Sequence, residues 1–68
     1  MTTPATDDTR RFHANLRDEL EGAARYAGLA AAESDPVRRD LFAQLAAAER
    51  GHAEVWRRRI EAVGGRPA

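Results

Sequence analysis

Ser34-Asp35-Pro36 decides the fold, because it is the clearest break in a long run of strong helix formers. On both sides the chain is rich in Ala, Leu, Glu and Arg, which favour helix. Asp35 suits a helix N-cap and Pro36 suits the first helical position, so a new helix is expected to begin there. A turn this short places the two helices side by side and antiparallel. The sequence therefore predicts an all-α fold, an antiparallel two-helix hairpin.

The bounds of the hairpin follow from residues that start or stop a helix. Residues 1–8 are polar and contain Pro4, and we interpret them as a flexible N-terminal leader. The helical hairpin is assigned to residues 9–63, with about 27 residues in each helix, or about 40 Å. Gly64 and the glycine after it are expected to stop the second helix. Residues 64–68 are interpreted as a linker-like tail.

The composition limits the classes of function. Sixty-eight residues make one small domain. There is no cysteine, so disulfides, iron–sulfur clusters and thiolate zinc sites are excluded. Eleven basic residues balance eleven acidic ones, and no nucleic-acid partner is expected without a net positive field. No apolar stretch approaches the roughly 20 residues of a membrane span, and no signal peptide is visible, which favours a cytoplasmic protein.

Ionisable residues interrupt the apolar stripe of each helix. At about 100° per residue, Glu19 shares a stripe with Tyr26 on the first helix, and Glu49 and His52 lie one turn apart on the second. An unpaired carboxylate on a buried stripe costs several kcal/mol, so a bound metal ion is the economical explanation. Glu33 shares the stripe of the first helix but is expected to be a solvated residue near the turn. The other stripe residues are apolar: Phe12 on the first helix, and Phe42, Leu45, Trp56, Ile60 and Val63 on the second.

The two glutamates are also predicted to be level. Glu19 and Glu49 lie equally far in sequence from Ser34, so an antiparallel hairpin brings them to one height together with His52. Carboxylate and imidazole ligands suit Fe(II), Mn(II) or Zn(II). One hairpin leaves an apolar face uncovered, and a second copy would cover it to give a four-helix bundle. A homodimer with four Glu and two His ligands, balanced in charge by two divalent ions, is the smallest expected assembly.

Three neighbouring residues have weaker expectations. Tyr26, one heptad from Glu19, is either a core aromatic or a second-shell hydrogen-bond partner of a ligand carboxylate. Asp18 and Glu21 flank Glu19 off the stripe, as a solvated face or as an iron-entry site. Glu-x-x-His by itself is weak evidence for a metal site. The alternative is a metal-free dimerisation hairpin whose acidic residues lie at a hydrated interface between the helices.

Two motifs give the chain a recognisable resemblance. The segment 18–26 has two acids, a Leu, a further acid and an aromatic seven residues after Glu19; Glu49-Arg50-Gly51-His52 forms the second motif. Over roughly residues 10–63 the chain resembles the ferritin-like superfamily, in particular rubrerythrin-type domains and most closely the encapsulated ferritins. The resemblance implies a di-iron ferroxidase centre at a subunit interface, which oxidises Fe(II) with O2 in iron storage and detoxification. Glu19, Glu49 and His52 of both chains would be its metal ligands and catalytic residues.

The resemblance also implies larger partners. Encapsulated ferritins form an annular decamer inside an encapsulin shell, with acidic entry sites at positions matching Asp18 and Glu21. Related ferritin-like domains precede membrane iron transporters of the vacuolar iron transporter type, and the linker-like ending fits such a neighbour. The alternative function is therefore an iron-binding sensor or delivery domain with little turnover, at the inner face of a membrane. Zn(II), Mn(II) or Ca(II) are expected to substitute for iron in a crystal.

Overall fold

The protein is a helical hairpin in the computed structural model, which describes residues 4–64, with side chains from residue 8 onward. Helix α1 spans Pro4–Ala32 and helix α2 spans Pro36–Ala62, and this part of the chain contains no strand. The two helices pack against each other along their length. The predicted all-α hairpin is confirmed. Within residues 4–64, neither helix is long and apolar enough to cross a membrane.

The start of α1 corrects one predicted boundary. Residues 4–8, which the sequence assigns to the leader, are helical, so α1 begins five residues before the predicted start at residue 9. The reason is that a proline is tolerated in the first turn of a helix, where its missing N–H would be unpaired in any case. The remainder of the leader, residues 1–3, and residues 65–68 of the tail lie outside the described residues.

The turn and the start of α2 form as the sequence predicts. Asp35 is the N-cap of α2, where its Oδ2 accepts the backbone N–H of Arg38 at 2.9 Å, and Pro36 opens the helix. A cap of this kind contributes about 1 kcal/mol. Glu33 adds a second contact, since its Oε1 accepts the backbone N–H of Asp35 at 3.1 Å. Two carboxylates, those of Glu33 and Asp35, therefore stabilise the turn by accepting backbone hydrogen bonds.

The end of α2 also agrees with the sequence. The helix ends at Ala62, and Gly64 adopts a φ of 81°. That left-handed conformation is costly for residues with a Cβ and accessible to glycine. Gly64 therefore stops the helix, as predicted.

The core is a narrow seam of mostly small side chains between the helices. Phe12 and Trp56 pack against this seam, with their ring centroids 5.6 Å apart. Alanines in the seam allow the helices to approach closely. The fully buried residues recur at seven-residue intervals on both helices: Leu16 and Ala23 on α1, and Ala46, Ala53 and Ile60 on α2.

This seam is rotated from the centre of the predicted stripe. Buried Ala23 and Ala53 each follow a predicted ligand, Glu19 and Glu49, by four residues, which is about 40° around the helix. Val63, predicted to lie in the stripe, is exposed. A single neighbouring helix buries only the residues that face it directly. An apolar stripe wide enough to contact two helices therefore stays partly exposed to solvent. The centre of the predicted stripe lies at one side of the hairpin.

Candidate metal centre

The three predicted ligands come together at one point of the hairpin. Glu19 comes from α1, and Glu49 and His52 come from successive turns of α2. Each offers one ligand atom, and these atoms all lie within 4.8 Å of one another. Nδ1 of His52 is 3.4 Å from Oε2 of Glu19. The antiparallel turn thus brings the residues to one height, as the equal sequence distances from Ser34 predict.

The geometry of this cluster fits a divalent cation. Oxygen and nitrogen ligands lie about 2.0–2.2 Å from Zn(II), and tetrahedral angles place two ligand atoms of one ion about 3.4 Å apart. The 3.4 Å between Nδ1 of His52 and Oε2 of Glu19 matches this separation, whereas a separation of 4.8 Å within the cluster would have to shorten by about 1.4 Å when an ion binds. Two ionised carboxylates and a neutral imidazole carry a charge of −2, which one divalent ion balances. The remaining coordination positions are open to water, substrate or a ligand from another chain.

The depth of the cluster corrects the expectation that all three ligands face a buried seam. The side chain of Glu19 is 24% exposed, whereas that of His52 is 62% exposed. Glu49 is half-buried. The 40° rotation of the seam is the cause, since it moves the ligands to the edge of the contact between the helices. We call the side of the hairpin that carries Gly22, Glu49 and His52 the site face.

The two glutamates interact directly. A hydrogen bond with Glu19 raises the pKa of the Glu49 carboxyl above its ordinary value of 4.5, and partial desolvation and the negative charge of Glu19 raise it further. The positive charges of His52 and Arg25 act in the opposite direction. The metal-free Glu49 carboxyl therefore keeps its proton to a higher pH than an isolated glutamate does, because its pKa is raised. A bound cation would replace that proton, which couples metal binding to proton release.

This coupling predicts a pH dependence of stability. The Glu49 pKa is higher in the folded than in the unfolded chain, so its contribution to stability is complete below about pH 4.5 and is lost as pH rises through the raised pKa. The affinity for Zn(II) should increase over the same range. Thermal unfolding of metal-free protein between about pH 4 and 7.5 measures the first effect. The Glu49→Gln variant is the reference, because it keeps all other titrating groups; a wild-type advantage that grew with pH would contradict the prediction.

Gly22 is a neighbour of the site that the sequence does not single out. A Cβ at Gly22 would lie 2.9 Å from Oε2 of Glu49. The available signal is the presence of a glycine inside a helix, where it costs about 1 kcal/mol relative to alanine. Gly28 and Gly51 give the same signal without touching the site, so the sequence does not distinguish Gly22 from them.

The other predicted residues lie further from the cluster. Tyr26 is half-buried, and its hydroxyl makes no hydrogen bond within residues 8–64, so its second-shell role stays a prediction. Asp18 and Glu21 are exposed, at about 100° and 160° from Glu19 around α1. Glu21 lines a groove of about 710 Å³ on the far side of α1, with Arg17 among its neighbours. The iron-entry role of Asp18 and Glu21 also stays a prediction.

The chain has no significant match among protein-family models, curated proteins or solved structures. The resemblance to the encapsulated ferritins therefore stays a prediction from the two motifs around Glu19 and Glu49. What can be inferred about function comes from the chemistry of the three clustered side chains.

Proposed function

We propose that this chain is a ferritin-like di-iron ferroxidase domain, which binds Fe(II) at a site shared by two copies and oxidises it with O2. One observation carries the proposal: Glu19, Glu49 and His52 converge from two helices, with ligand atoms within 4.8 Å of one another. Two acids and an imidazole at this spacing have a simple chemical use as cation ligands.

The type of ligand favours iron as the substrate. Carboxylate and imidazole groups suit Fe(II), Mn(II) and Zn(II), and the chain has no thiolate to select softer ions. Of these ions, Fe(II) is the one that O2 oxidises readily near neutral pH. Anionic oxygen ligands bind Fe(III) more strongly than Fe(II), so Glu19 and Glu49 favour loss of an electron from the iron they hold.

A second copy would complete the site. Leu29 and Leu41 are 42% and 53% exposed, and helical spacing places both on the site face, within about 20° of Gly22 and His52 respectively. A twofold-related hairpin laid on this face would cover them and shield His52, as in a four-helix bundle. The pair of chains would then supply four carboxylates and two imidazoles. Two divalent ions would balance the charge.

The proposed reaction consumes two Fe(II) ions and one O2. Each Fe(II) gives up one electron, and the two electrons with two protons reduce O2 to hydrogen peroxide. Glu49 lies on the site face beside Glu19, where the second copy would approach, which suits a carboxylate shared by both irons in the dimer. Glu19 and His52 would each hold one iron. Fe(II) would compete with protons for the Glu49 carboxyl, whose pKa is raised by its contact with Glu19, and the charge of the ion would offset the repulsion between the two carboxylates.

The test is to mix anaerobic protein with Fe(II), admit air and follow ferric absorbance, with native mass spectrometry of the same sample. We expect two chains with two metal ions and oxidation faster than that of free iron. Two bound irons without faster oxidation would favour the alternative, a sensor or delivery domain of a membrane iron transporter. No retained metal would favour the metal-free dimerisation hairpin. The annular decamer and the encapsulin shell are further proposals, which the mass of the assembly tests.

A further inference from the structure

The carboxylate of Glu49 occupies a space that a missing side chain leaves on α1. A Cβ built at Gly22 would lie 2.9 Å from Oε2, 3.3 Å from Cδ and 3.6 Å from Cγ of Glu49. Real Cβ atoms essentially never approach another heavy atom within 3.0 Å. The carboxylate of Glu49 therefore occupies space that the Cβ of any other residue at position 22 would fill.

The other helical glycines do not have this property. A Cβ at Gly28 or at Gly51 would meet nothing within 4 Å. Gly51 is especially informative, because it lies in sequence between Glu49 and His52 but makes no room for either. Each of these glycines lowers helix stability by roughly 1 kcal/mol relative to alanine. Of the three, Gly22 is the one whose lack of a side chain is used by the site.

We propose that Gly22 is a positioning residue of the metal centre: its missing Cβ lets the carboxylate of Glu49 cross to α1 and lie beside Glu19. This inference rests on the proposed metal-binding function. Glu19 and Gly22 are three residues apart on α1, so they lie on neighbouring parts of one helix surface. A carboxylate seated at Gly22 is therefore next to the Glu19 carboxylate, and the two can bind one cation.

Alanine at position 22 is expected to weaken metal binding and to stabilise helix α1. The Oε2 atom would have to withdraw by about half an ångström to reach the ordinary contact distance of 3.4 Å. Metal ligands tolerate displacements of only about that size. Because Oε2 is the end of a flexible side chain, the helices can stay in place while the carboxylate moves. The metal-free hairpin should gain stability from the better helix former, while the metal centre loses a well-placed ligand.

The experiment compares Gly22→Ala with Gly28→Ala and Gly51→Ala in the full chain. Thermal unfolding without metal should shift upward in all three variants. Zn(II) affinity, measured against a competing chelator, should fall about tenfold or more in Gly22→Ala alone, the loss typical of disturbed ligand support. The visible spectrum of bound Co(II) should change in the same variant. In a Glu49→Ala background, Gly22→Ala should have no further effect on affinity, since it acts through Glu49.

Failure of this inference and failure of the metal site give different results. In metal-free wild type, we expect nuclear Overhauser effects between the α protons of Gly22 and the γ protons of Glu49; their absence overturns the inference whatever the metal does. Wild-type Zn(II) affinity in Gly22→Ala also overturns it and leaves the proposed metal centre standing. If wild type shows these contacts but binds no Zn(II), the proposed function is overturned instead.

Discussion

Replacing Glu49 by alanine is expected to abolish Fe(II) oxidation above the rate of free iron in air. Glu49 is hydrogen-bonded to Glu19 across the seam, and a dimer would lose two of its four carboxylates with this substitution. The remaining charge of −2 cannot balance two divalent ions. His52→Ala should impair oxidation severely, because it removes one ligand from each iron and leaves the carboxylates in place.

Initial rates of ferric absorbance after Fe(II) addition measure this effect, with circular dichroism to confirm that the hairpin is intact. Glu61→Ala is the matched control, since Glu61 is an exposed acid on α2 outside the cluster. Glu33→Ala should also retain most activity, as Glu33 lies roughly 20 Å along α1 from Glu19 at ~1.5 Å per residue. Its lost contact with the Asp35 N–H should cost some stability. An inactive Glu61 variant beside an active Glu49 variant would place the site elsewhere.

The hairpin could be predicted because its signals are local. Asp35 and Pro36 act within one turn of chain, through a cap and a fixed φ, and they need no information about the rest of the molecule. The start of α1 was predicted less well, because Pro4 fits both an irregular leader and the first turn of a helix. The sequence around it favours neither reading strongly.

The convergence of the ligands was predictable, but their depth was not. The spacing of Glu49 and His52 and the level position of Glu19 follow from helix geometry and the short turn. The rotation of the seam depends on which alanines are buried, and alanine has too little apolar surface to mark a face. Ala23 is buried and the following Ala24 is exposed, although the residues are chemically identical.

The contact at Gly22 was beyond sequence reasoning for a different reason. It depends on the distance between an atom of α2 and a position on α1, and that distance is set by the close approach of the helices. A glycine inside a helix indicates a loss of helix stability, but it does not indicate which side chain of another helix occupies the space that it leaves. The residues around Gly22, Gly28 and Gly51 show no difference that would separate one role from another.

The second large effect is expected for the double variant Leu29→Glu and Leu41→Glu, which should prevent dimerisation. These leucines are 42% and 53% exposed in the single hairpin, and a second copy on the site face would cover them. An unpaired carboxylate buried at an interface costs several kcal/mol. The dimer would bury four such charges, two from each chain, so even a net cost of about 1.4 kcal/mol per charge would raise its dissociation constant about 10,000-fold. Sedimentation equilibrium at micromolar protein with Zn(II) measures the change.

The control is Ala43→Glu and Ala47→Glu, which also adds two charges per chain but on the other side of α2. Ala43 and Ala47 are exposed, and they lie about 160° and 120° around the helix from Leu41. This variant should dimerise and oxidise Fe(II) as wild type does. The leucine variant should remain helical but lose oxidation together with assembly, because one hairpin supplies only two carboxylates. Equal dissociation of both variants would mean that the site face is not the interface. A compact helical monomer of 7.5 kDa formed by wild type with metal present would contradict a shared site, because the two irons would then lack the second set of ligands.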